Sequence, residues 1–281
     1  MTRTLIEHVD TELGRWLHAM RLPPADLAAD VAMLWFGDGQ THYRRDRILP
    51  RGCVHLLINL GPRQFLVTAA GERIPFDDFW ISGIQDRYLD TEAPAGACLL
   101  GVAFAPGGAW PYLPMPQNVL RGFNGEMAAV LGDGAMTLRQ RLLERDDVEA
   151  RFVLVEDWLR RQRRPHRVRH AAVASALQAF SRAGTPRIAA LARDCGVSER
   201  RLGQLFDREV GLSPKVWSRL VRFQACLSAM RDGIGSACEL ADRFGYADQA
   251  HMSREVRAFS GYAPSELMAR PSPDAMTVVV A

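Results

Sequence analysis

The hydrophobic pattern of the chain changes near residue 124. Before this point, short apolar runs alternate with Gly and Pro turns, which predicts β-strands. After it, apolar residues recur every three or four positions, which predicts helices. The pattern predicts an α+β protein, with a β-rich N-terminal part followed by an all-α C-terminal part. The predicted strands are RWLHAMR (15–21), CVHLLINL (53–60), QFLVT (64–68), FWIS (79–82) and CLLGVAF (98–104).

Two helices are predicted within or beside this β-rich part. Residues 24–35 follow a pair of prolines and place Leu27, Val31 and Leu34 at helical spacing. Residues 148–159 carry apolar residues at intervals of four, three and four, which form a narrow seam. Two interpretations of the seam are open: a helix packed on the β-rich part, or a helix that joins two copies of the chain.

The basic run RRQRRPHRVRH (160–170) marks a domain boundary. It is either a solvated linker or a phosphate-contacting segment. The predicted domains are a β-rich effector or dimerisation domain ending in helices (1–165), a helical domain (166–270) and a flexible tail (271–281).

The helical domain repeats one pattern, as LARDCGVSERRLGQLF (191–206) and as LADRFGYADQAHMSREV (240–256). In each copy, a short apolar-faced helix runs to a Gly turn, at Gly196 or Gly245. A polar N-cap, Ser198 or Asp248, then starts a second helix with its own buried face. Two helices joined by such a turn form a helix-turn-helix unit.

A linker helix is predicted between the two units. Ser213 and Pro214 start it, and an apolar stripe extends it to about Met230. About 17 residues correspond to roughly 25 Å, which is of the order of the roughly 34 Å between successive major-groove faces of B-DNA. The duplication therefore predicts that recognition helices near 198–209 and 248–259 read adjacent major grooves.

The outward faces of these helices carry side-chain types that bind DNA. Arg and Gln hydrogen-bond base edges, whereas basic residues at the margins contact phosphates. The same residue types also suit any solvent-exposed helix face, and this alternative applies to each residue taken alone. The candidate base contacts are Arg200, Arg201, Gln204, Gln249, His251, Ser253 and Arg254, and the candidate phosphate contacts are Arg208, Lys215, Arg219 and Arg257.

Charge and cysteine content indicate the kind of partner and the cellular compartment to expect. The net charge of the chain is +3, and residues from 166 onward carry 16 Lys and Arg against 11 Asp and Glu. A basic C-terminal part suits a polyanionic partner. The five cysteines are dispersed, without a Cys-x-x-Cys pair, which favours free thiols in a reducing compartment. Neither a signal peptide nor a membrane span is apparent, so a cytoplasmic protein is expected.

The repeated units resemble the C-terminal domain of AraC/XylS-type bacterial transcription regulators. The resemblance covers residues 170–268 and is most specific in GYADQAHMSREVRAFSGYAPSEL. Met252 and Val256 stand where the family usually has Phe, and Gly203 stands where it often has a polar residue. The N-terminal part is similar to β-rich sensor domains of such regulators at Gly14-Arg15-Trp16, ILPRGCVHLLINLG (48–61), WISGIQ (80–85) and GVAFAPGGAW (101–110).

The resemblance implies a sequence-specific regulator that couples an effector or dimerisation domain to promoter binding. Its expected partner is double-stranded promoter DNA. A small-molecule effector, a second copy of the chain and, for an activator, RNA polymerase are further partners that the family allows. Neither a cofactor nor a membrane partner is expected.

Enzymatic function of the β-rich part is the main alternative. His42, His55 and Cys53 lack a zinc-ligand spacing, and the chain has neither a nucleophile elbow nor a phosphate loop. We therefore expect a non-enzyme without a metal, in which a ligand pocket is more plausible than a catalytic site. A β-domain protein whose helical domain mediates protein interactions stays the competing hypothesis. The candidate pocket residues are Trp35, Asn59, Trp80, Gln85, Tyr88 and Phe104.

Overall fold

A computed structural model describes residues 4–93, 96–126, 128–183 and 185–280. It contains twelve strands within these ranges, and every strand pair is antiparallel. The strands are β1 (Thr4–Thr11), β2 (Gly14–Arg21), β3 (Val31–Thr41), β4 (Arg45–Ile48), β5 (His55–Asn59), β6 (Gln64–Val67), β7 (Arg73–Phe76), β8 (Phe79–Ser82), β9 (Leu89–Glu92), β10 (Ala97–Phe104), β11 (Asn124–Glu126) and β12 (Thr277–Val279).

The strands form two sheets. The large sheet has the order β1-β2-β3-β10-β5-β8-β11, and the small sheet has the order β12-β4-β9-β6-β7. One face of the large sheet builds the main N-terminal core, where Leu34, Val102, Leu56 and Ile81 form a buried row. Its other face is turned towards the small sheet. The predicted β-rich N-terminal domain is confirmed.

A 3-10 helix (Gln117–Leu120) and ten α-helices complete the described structure. They are α1 (Ala128–Leu131), α2 (Asp133–Leu143), α3 (Val148–Gln162), α4 (Ala171–Ala183), α5 (Ile188–Asp194), α6 (Glu199–Glu209), α7 (Pro214–Arg231), α8 (Ala237–Arg243), α9 (Gln249–Ser260) and α10 (Pro264–Met268). Among the described residues, no helix combines the length and apolar character that crossing a membrane requires.

The apolar seam of α3 packs on the β-rich part. Phe152, Val155 and Leu159 are completely buried and belong to the same core as the large sheet. The ring of Trp158, on the same helix, lies 5.8 Å from that of Phe79 in β8. Because the seam is already covered within one chain, it does not join two copies in the manner of a coiled coil.

The predicted helix over residues 24–35 is wrong. Residues 24–30 form turns that begin with hydrogen bonds from Leu27 and Ala28 to the carbonyl of Pro24. Strand β3 begins at Val31 and lies between β2 and β10. Both of its faces are covered at Leu34 and Trp35, so its sequence lacks the strict alternation of a half-exposed strand.

The helical part contains both predicted helix-turn-helix units, α5–α6 and α8–α9, with α7 between them. Gly196 and Gly245 adopt φ values of 68° and 69° at the two turns, a conformation that favours glycine. Ser198 accepts a hydrogen bond of 3.1 Å from the Arg201 amide, as a helix N-cap does. The predicted arrangement of two units joined by a linker helix is confirmed.

The predicted flexible tail is wrong for residues 271–280. Strand β12 pairs with β4, and Val278 is completely buried in the core of the helical part. The amide of Leu49 donates to the carbonyl of Met276 at 2.7 Å, and Arg51 forms an ion pair with Asp274 at 3.1 Å. The tail is therefore ordered by a strand more than 200 residues away in sequence.

The two parts of the chain share this second core. Leu49 and Ile84 of the β-rich part are buried in the same cluster as the helices of both helix-turn-helix units. Across the junction, Gln224 donates to the carbonyl of Pro50 at 2.9 Å, and Asn118 donates to Asp207 at 2.8 Å. The helical part is thus packed directly against the β-rich part.

Candidate nucleic-acid interface

The two recognition helices are held by buried faces of similar design. In α6, Leu202, Leu205 and Phe206 are buried, and the ring of Phe206 lies 6.1 Å from that of Phe180 on α4. In α9, Met252, Val256 and Phe259 are buried, and the ring of Phe259 stacks on Phe223 of α7 at 4.9 Å. These contacts orient the opposite face of each helix towards solvent. Met252 and Val256 fill core positions, so their departure from the family pattern preserves the packing.

The solvent face of α6 carries three of the predicted base contacts. Arg200, Arg201 and Gln204 are exposed, and their side chains form neither a hydrogen bond nor an ion pair with any residue that the structure describes. Gly203 lies between them, and a Cβ atom there would meet nothing within 4 Å. This face is therefore free to meet a ligand, and nothing around Gly203 demands glycine.

The solvent face of α9 carries Gln249, Ser253 and Arg254. Gln249 and Arg254 are exposed and Ser253 is half-buried, and within the described ranges none of these side chains has a polar partner. His251 differs from this group. Its half-buried ring lies edge-on to Tyr246 at 5.4 Å, and its Nδ1 accepts a hydrogen bond from the Ala247 amide at 3.2 Å. His251 thus stabilises the turn of the unit, and its contact with a base stays a prediction.

The predicted phosphate contacts divide into two kinds. Lys215 is exposed at the start of α7 without a polar partner among the described residues, and Arg257 forms an exposed ion pair with Glu266 at 3.3 Å. By contrast, Arg208 is paired with the buried Glu209 and lies over the ring of Trp110 at 5.3 Å. Two of the four candidates therefore have ionic partners within the chain, Arg208 at the domain junction and Arg219 in the helical part.

Arg219 belongs to a buried ionic cluster that attaches α9 to α7. Arg219 and Arg222 of α7 both bond the carboxylate of Glu255, at 2.5 and 2.8 Å, and Glu255 is only 6% exposed. Arg222 also lies over the ring of Tyr246 at 4.4 Å. The cluster fixes the second recognition helix on the linker helix. Sequence reasoning missed it because Glu255 was not distinguished from surface acids.

The basic run at the domain boundary is docked on the β-rich part. Arg167 donates to the carbonyls of Trp110 and Met115, each at 2.9 Å, and its guanidinium stacks on Trp110 at 3.5 Å. Arg163 and Arg169 form ion pairs with the buried Asp30, at 3.0 and 3.5 Å. A freely solvated linker therefore does not describe this segment.

A shallow groove borders the second recognition helix. Its cavity volume is about 430 Å³, and it lies between the end of α7, α8, α9 and α10. Gln249 and Ser253 line it on the recognition side, and Met230, Met252 and Met268 are among its apolar lining residues. Sequence patterns do not indicate the groove, because these methionines come from three different helices.

The six candidate pocket residues do not form one site. Trp35 and Trp80 lie in a single row of the large sheet, through Gly101 and Leu57, on the face turned to the small sheet. The contact of Trp80 with Phe76 of the small sheet, at 5.0 Å, shows that this face is internal.

The other four candidates are engaged elsewhere. Asn59 donates to the Pro62 carbonyl and accepts from the Gly61 amide, and Gln85 donates to the carbonyls of Gly83 and Phe123. Phe104 is buried in the other core, and Tyr88 stacks with Arg47 on the outer side of the small sheet. These four residues make contacts within the fold, away from the row of Trp35 and Trp80, and their pocket role stays a prediction.

Buried polar groups lie between the sheets, and sequence reasoning had considered only His55 and Cys53 among them. Asp46 on β4 accepts a hydrogen bond from Thr91 on β9, and burial raises the pKa of Asp46 to about 6. His55 and Cys53 share a hydrogen bond of 3.2 Å. Burial lowers the pKa of His55 to about 3 and raises that of the Cys53 thiol to about 11, so both are neutral at pH 7.

The described residues contain no cluster of three or more His, Cys, Asp or Glu side chains that could hold a metal ion. His42, the remaining metal candidate, lies apart from the inner space and contacts the Glu12 carbonyl through Nδ1 at 3.1 Å. A neutral thiol in a neutral pair is also a weak nucleophile. The pair of Cys53 and His55 is therefore not an activated nucleophile.

Comparison with known families agrees with this geometry. Residues 191–270 match a family model described as a helix-turn-helix domain, and residues 20–125 match a domain of unknown function, DUF6597. The first match spans both units and the linker helix. No curated protein matches the sequence significantly.

Several solved structures are similar to this chain. Fatty-acid-bound ToxT from Vibrio cholerae is 11% identical with a TM-score of 0.46, over 84% of this chain and 94% of ToxT. A probable AraC family transcriptional regulator from Rhodopseudomonas palustris is 28% identical with a TM-score of 0.33, over 36% of this chain and all of the regulator. Ectoine synthase from P. lautus is 13% identical with a TM-score of 0.27, over 34% of this chain and 67% of the synthase.

Proposed function

We propose that this chain, which carries an AraC-type helix-turn-helix domain over residues 191–270, is a sequence-specific regulator that reads two adjacent major grooves. The observation that carries the proposal is the pairing of two matched units across one continuous helix. Helix α7 has 18 residues and is therefore about 27 Å long. This length is comparable with the roughly 34 Å between successive major-groove faces on one side of B-DNA.

The free side chains on the two recognition helices support base reading. Arg200, Gln204 and Arg254 are exposed and have no polar partner among the described residues. Arg bonds guanine O6 and N7, and Gln bonds adenine N6 and N7. Lys215 and Arg257, at the margins, suit phosphate contact, which positions the protein without specifying sequence.

The β-rich part is proposed as the effector domain. The space between its sheets is bordered by aromatic residues, Trp35 and Trp80, and by the polar pair Asp46 and Thr91. An apolar wall with a few polar groups is the usual composition of a small-molecule site. Because the β-rich and helical parts share a core, a ligand bound between the sheets would affect the position of the helical part.

The proposal is tested by fluorescence anisotropy of the full chain on DNA. Duplexes are first enriched by the protein from a random library, and a scrambled duplex of equal length and composition is the control. A regulator binds the enriched duplex more tightly, and its log affinity falls steeply with log salt concentration. Equal affinity for both duplexes, or no binding at low salt, would contradict the proposal and favour a protein-interaction module.

A further inference from the structure

Arg47 on β4 connects the β-rich part with the C-terminal end of the second recognition helix. Its side chain is 11% exposed. Nε and Nη2 donate to the two oxygens of Asp90 at 2.6 and 2.8 Å, and Nη1 donates to the carbonyl of Ser260 at 3.1 Å. The guanidinium also stacks on Tyr88 at 3.6 Å and on Tyr262 at 4.5 Å. Every face of the cation is therefore engaged.

Ser260 is the last residue of α9, so the contact is made at the C-terminal end of that helix. The final carbonyls of a helix lack partners within the helix and carry its negative dipole end. A buried cation that donates to one of them is favourable for this reason. The bidentate pair with Asp90 fixes the guanidinium on the small sheet, because the planar fork allows one orientation.

The fit at this contact is close on the side of α9 as well. Gly261 follows the helix with a φ of 79°, a conformation that favours glycine. A Cβ atom at Gly261 would lie 2.3 Å from Nη1 of Arg47 and 2.6 Å from the ring of Tyr88. The end of α9 is thus in direct contact with the guanidinium. An axial shift of the helix would break this contact.

We propose that Arg47 is a positioning residue for DNA reading, which sets the axial placement of α9 in its major groove. The inference rests on the proposed function, and it adds that one residue of the β-rich part acts on one recognition helix. Gln249, Ser253 and Arg254 lie on the N-terminal half of α9, so an axial shift or tilt of the helix displaces all three. Helix α6 is not held by Arg47, so its base reading does not depend on this contact.

The position of β4 connects this contact with the space between the sheets. Successive residues of a strand point to opposite faces. Arg47 faces the helical part, and the preceding residue, Asp46, faces the inner space, where it bonds Thr91. A ligand that displaces β4 from the inner side therefore moves Arg47 on the outer side.

The experiment compares Arg47→Ala with Arg73→Ala in the full chain. Arg73 is a matched control, because it also lies on the small sheet, pairs with an acid of β9 (Glu92, 3.1 Å) and stacks on an aromatic ring (Phe65, 3.8 Å). Unlike Arg47, it has no hydrogen bond or ion pair to the helical part within the described residues. Affinities are measured on the enriched duplex and on variants changed at each base pair.

We expect Arg47→Ala to weaken binding about 5- to 150-fold, the range of a typical coupling between sites. The variant should lose base preference at the base pairs where Arg254→Ala also loses it. At the base pairs where Gln204→Ala loses preference, the Arg47 variant should keep it. Arg73→Ala should change neither affinity nor preference. Arg47→Lys keeps the positive charge but lacks the planar guanidinium that bonds Asp90 through two nitrogens. It should show the same pattern more weakly.

Two results would overturn the inference. One is unchanged base preference in both Arg47 variants when thermal unfolding shows that they are folded. The other is an equal loss of preference at the positions of both recognition helices, since that is the effect of general destabilisation. If Arg47→Ala does not fold, Arg47→Lys alone decides between these outcomes. Failure of the wild-type chain to enrich any duplex is a separate result, which refutes the proposed function itself.

Discussion

Arg222 of α7 donates a hydrogen bond of 2.8 Å to the buried carboxylate of Glu255 on α9. The contact joins the linker helix to the second recognition helix, and Arg219 bonds the other oxygen of the same carboxylate. Arg219, a predicted phosphate contact, is thus used to attach one helix to another. The distinction between attachment and reading residues leads to different expectations for mutants.

Glu255→Gln should destabilise the fold by about 1–3 kcal/mol, because it leaves the largely buried Arg222 without its counter-charge. The partial exposure of Arg219, 41%, places the cost below that of a fully buried pair. The measurement is urea unfolding at pH 7. Asp10→Asn is the control: its pair with Arg15 is exposed on both sides, and a change below about 0.5 kcal/mol is expected. Equal effects of the two substitutions would contradict this account.

Arg254→Ala should weaken specific DNA binding by about 1–3 kcal/mol and relax preference at one base pair. Its side chain is free in the described structure, so little stability should be lost. Arg243→Ala on α8 provides a comparison at an arginine outside the recognition helices. Anisotropy titrations on duplexes substituted at single positions measure both effects. Unaltered affinity and preference would remove Arg254 from the base-reading set.

Asp46 should make folding stability depend on pH in a defined direction. Burial raises its pKa from an ordinary value of 3.8 to about 6, so the folded state binds the proton more tightly than the unfolded state. The stabilisation is complete below pH 4 and is lost as the pH rises through 6. His55, whose pKa burial lowers to about 3, acts in the opposite direction between pH 3 and 6.5.

The effect of Asp46 is therefore isolated by comparing Asp46→Asn with the wild type. Relative to the wild type, the variant should gain about 2–3 kcal/mol as the pH rises from 4 to 7, since each pKa unit is worth about 1.36 kcal/mol. Unfolding free energies at several pH values provide the measurement. A curve for Asp46→Asn that runs parallel to the wild-type curve would show that Asp46 is not desolvated.

Val278→Thr should destabilise the fold by about 1–3 kcal/mol, because it buries a hydroxyl in an apolar core. Val278 is completely buried, whereas Val168 is 75% exposed, so Val168→Thr is a control with the same chemical change. Hydrogen exchange should show faster exchange at β4 in the Val278 variant, since β4 pairs with β12. Similar stability of the two variants would mean that the tail does not contribute to the core.

Local patterns predicted the helical part well. The Gly turns at 196 and 245, the caps at Ser198 and Asp248 and the apolar stripes of α6 and α9 depend on residues within a few positions of each other. These features follow from φ preference, capping and helical periodicity, which act over a single turn. The same patterns failed over residues 24–35, because a strand covered on both faces loses the alternation that distinguishes it from a helix.

The sequence by itself determined the two matched helix-turn-helix units, their spacing by one helix and the β-rich character of the N-terminal part. Only the tertiary structure decided which arginines are free. Arg254 faces solvent, Arg219 is held by Glu255, and Arg47 reaches across the chain to the end of α9. Chain position carries no information about these partners, because such contacts join residues 36 and 213 positions apart and depend on how whole elements pack.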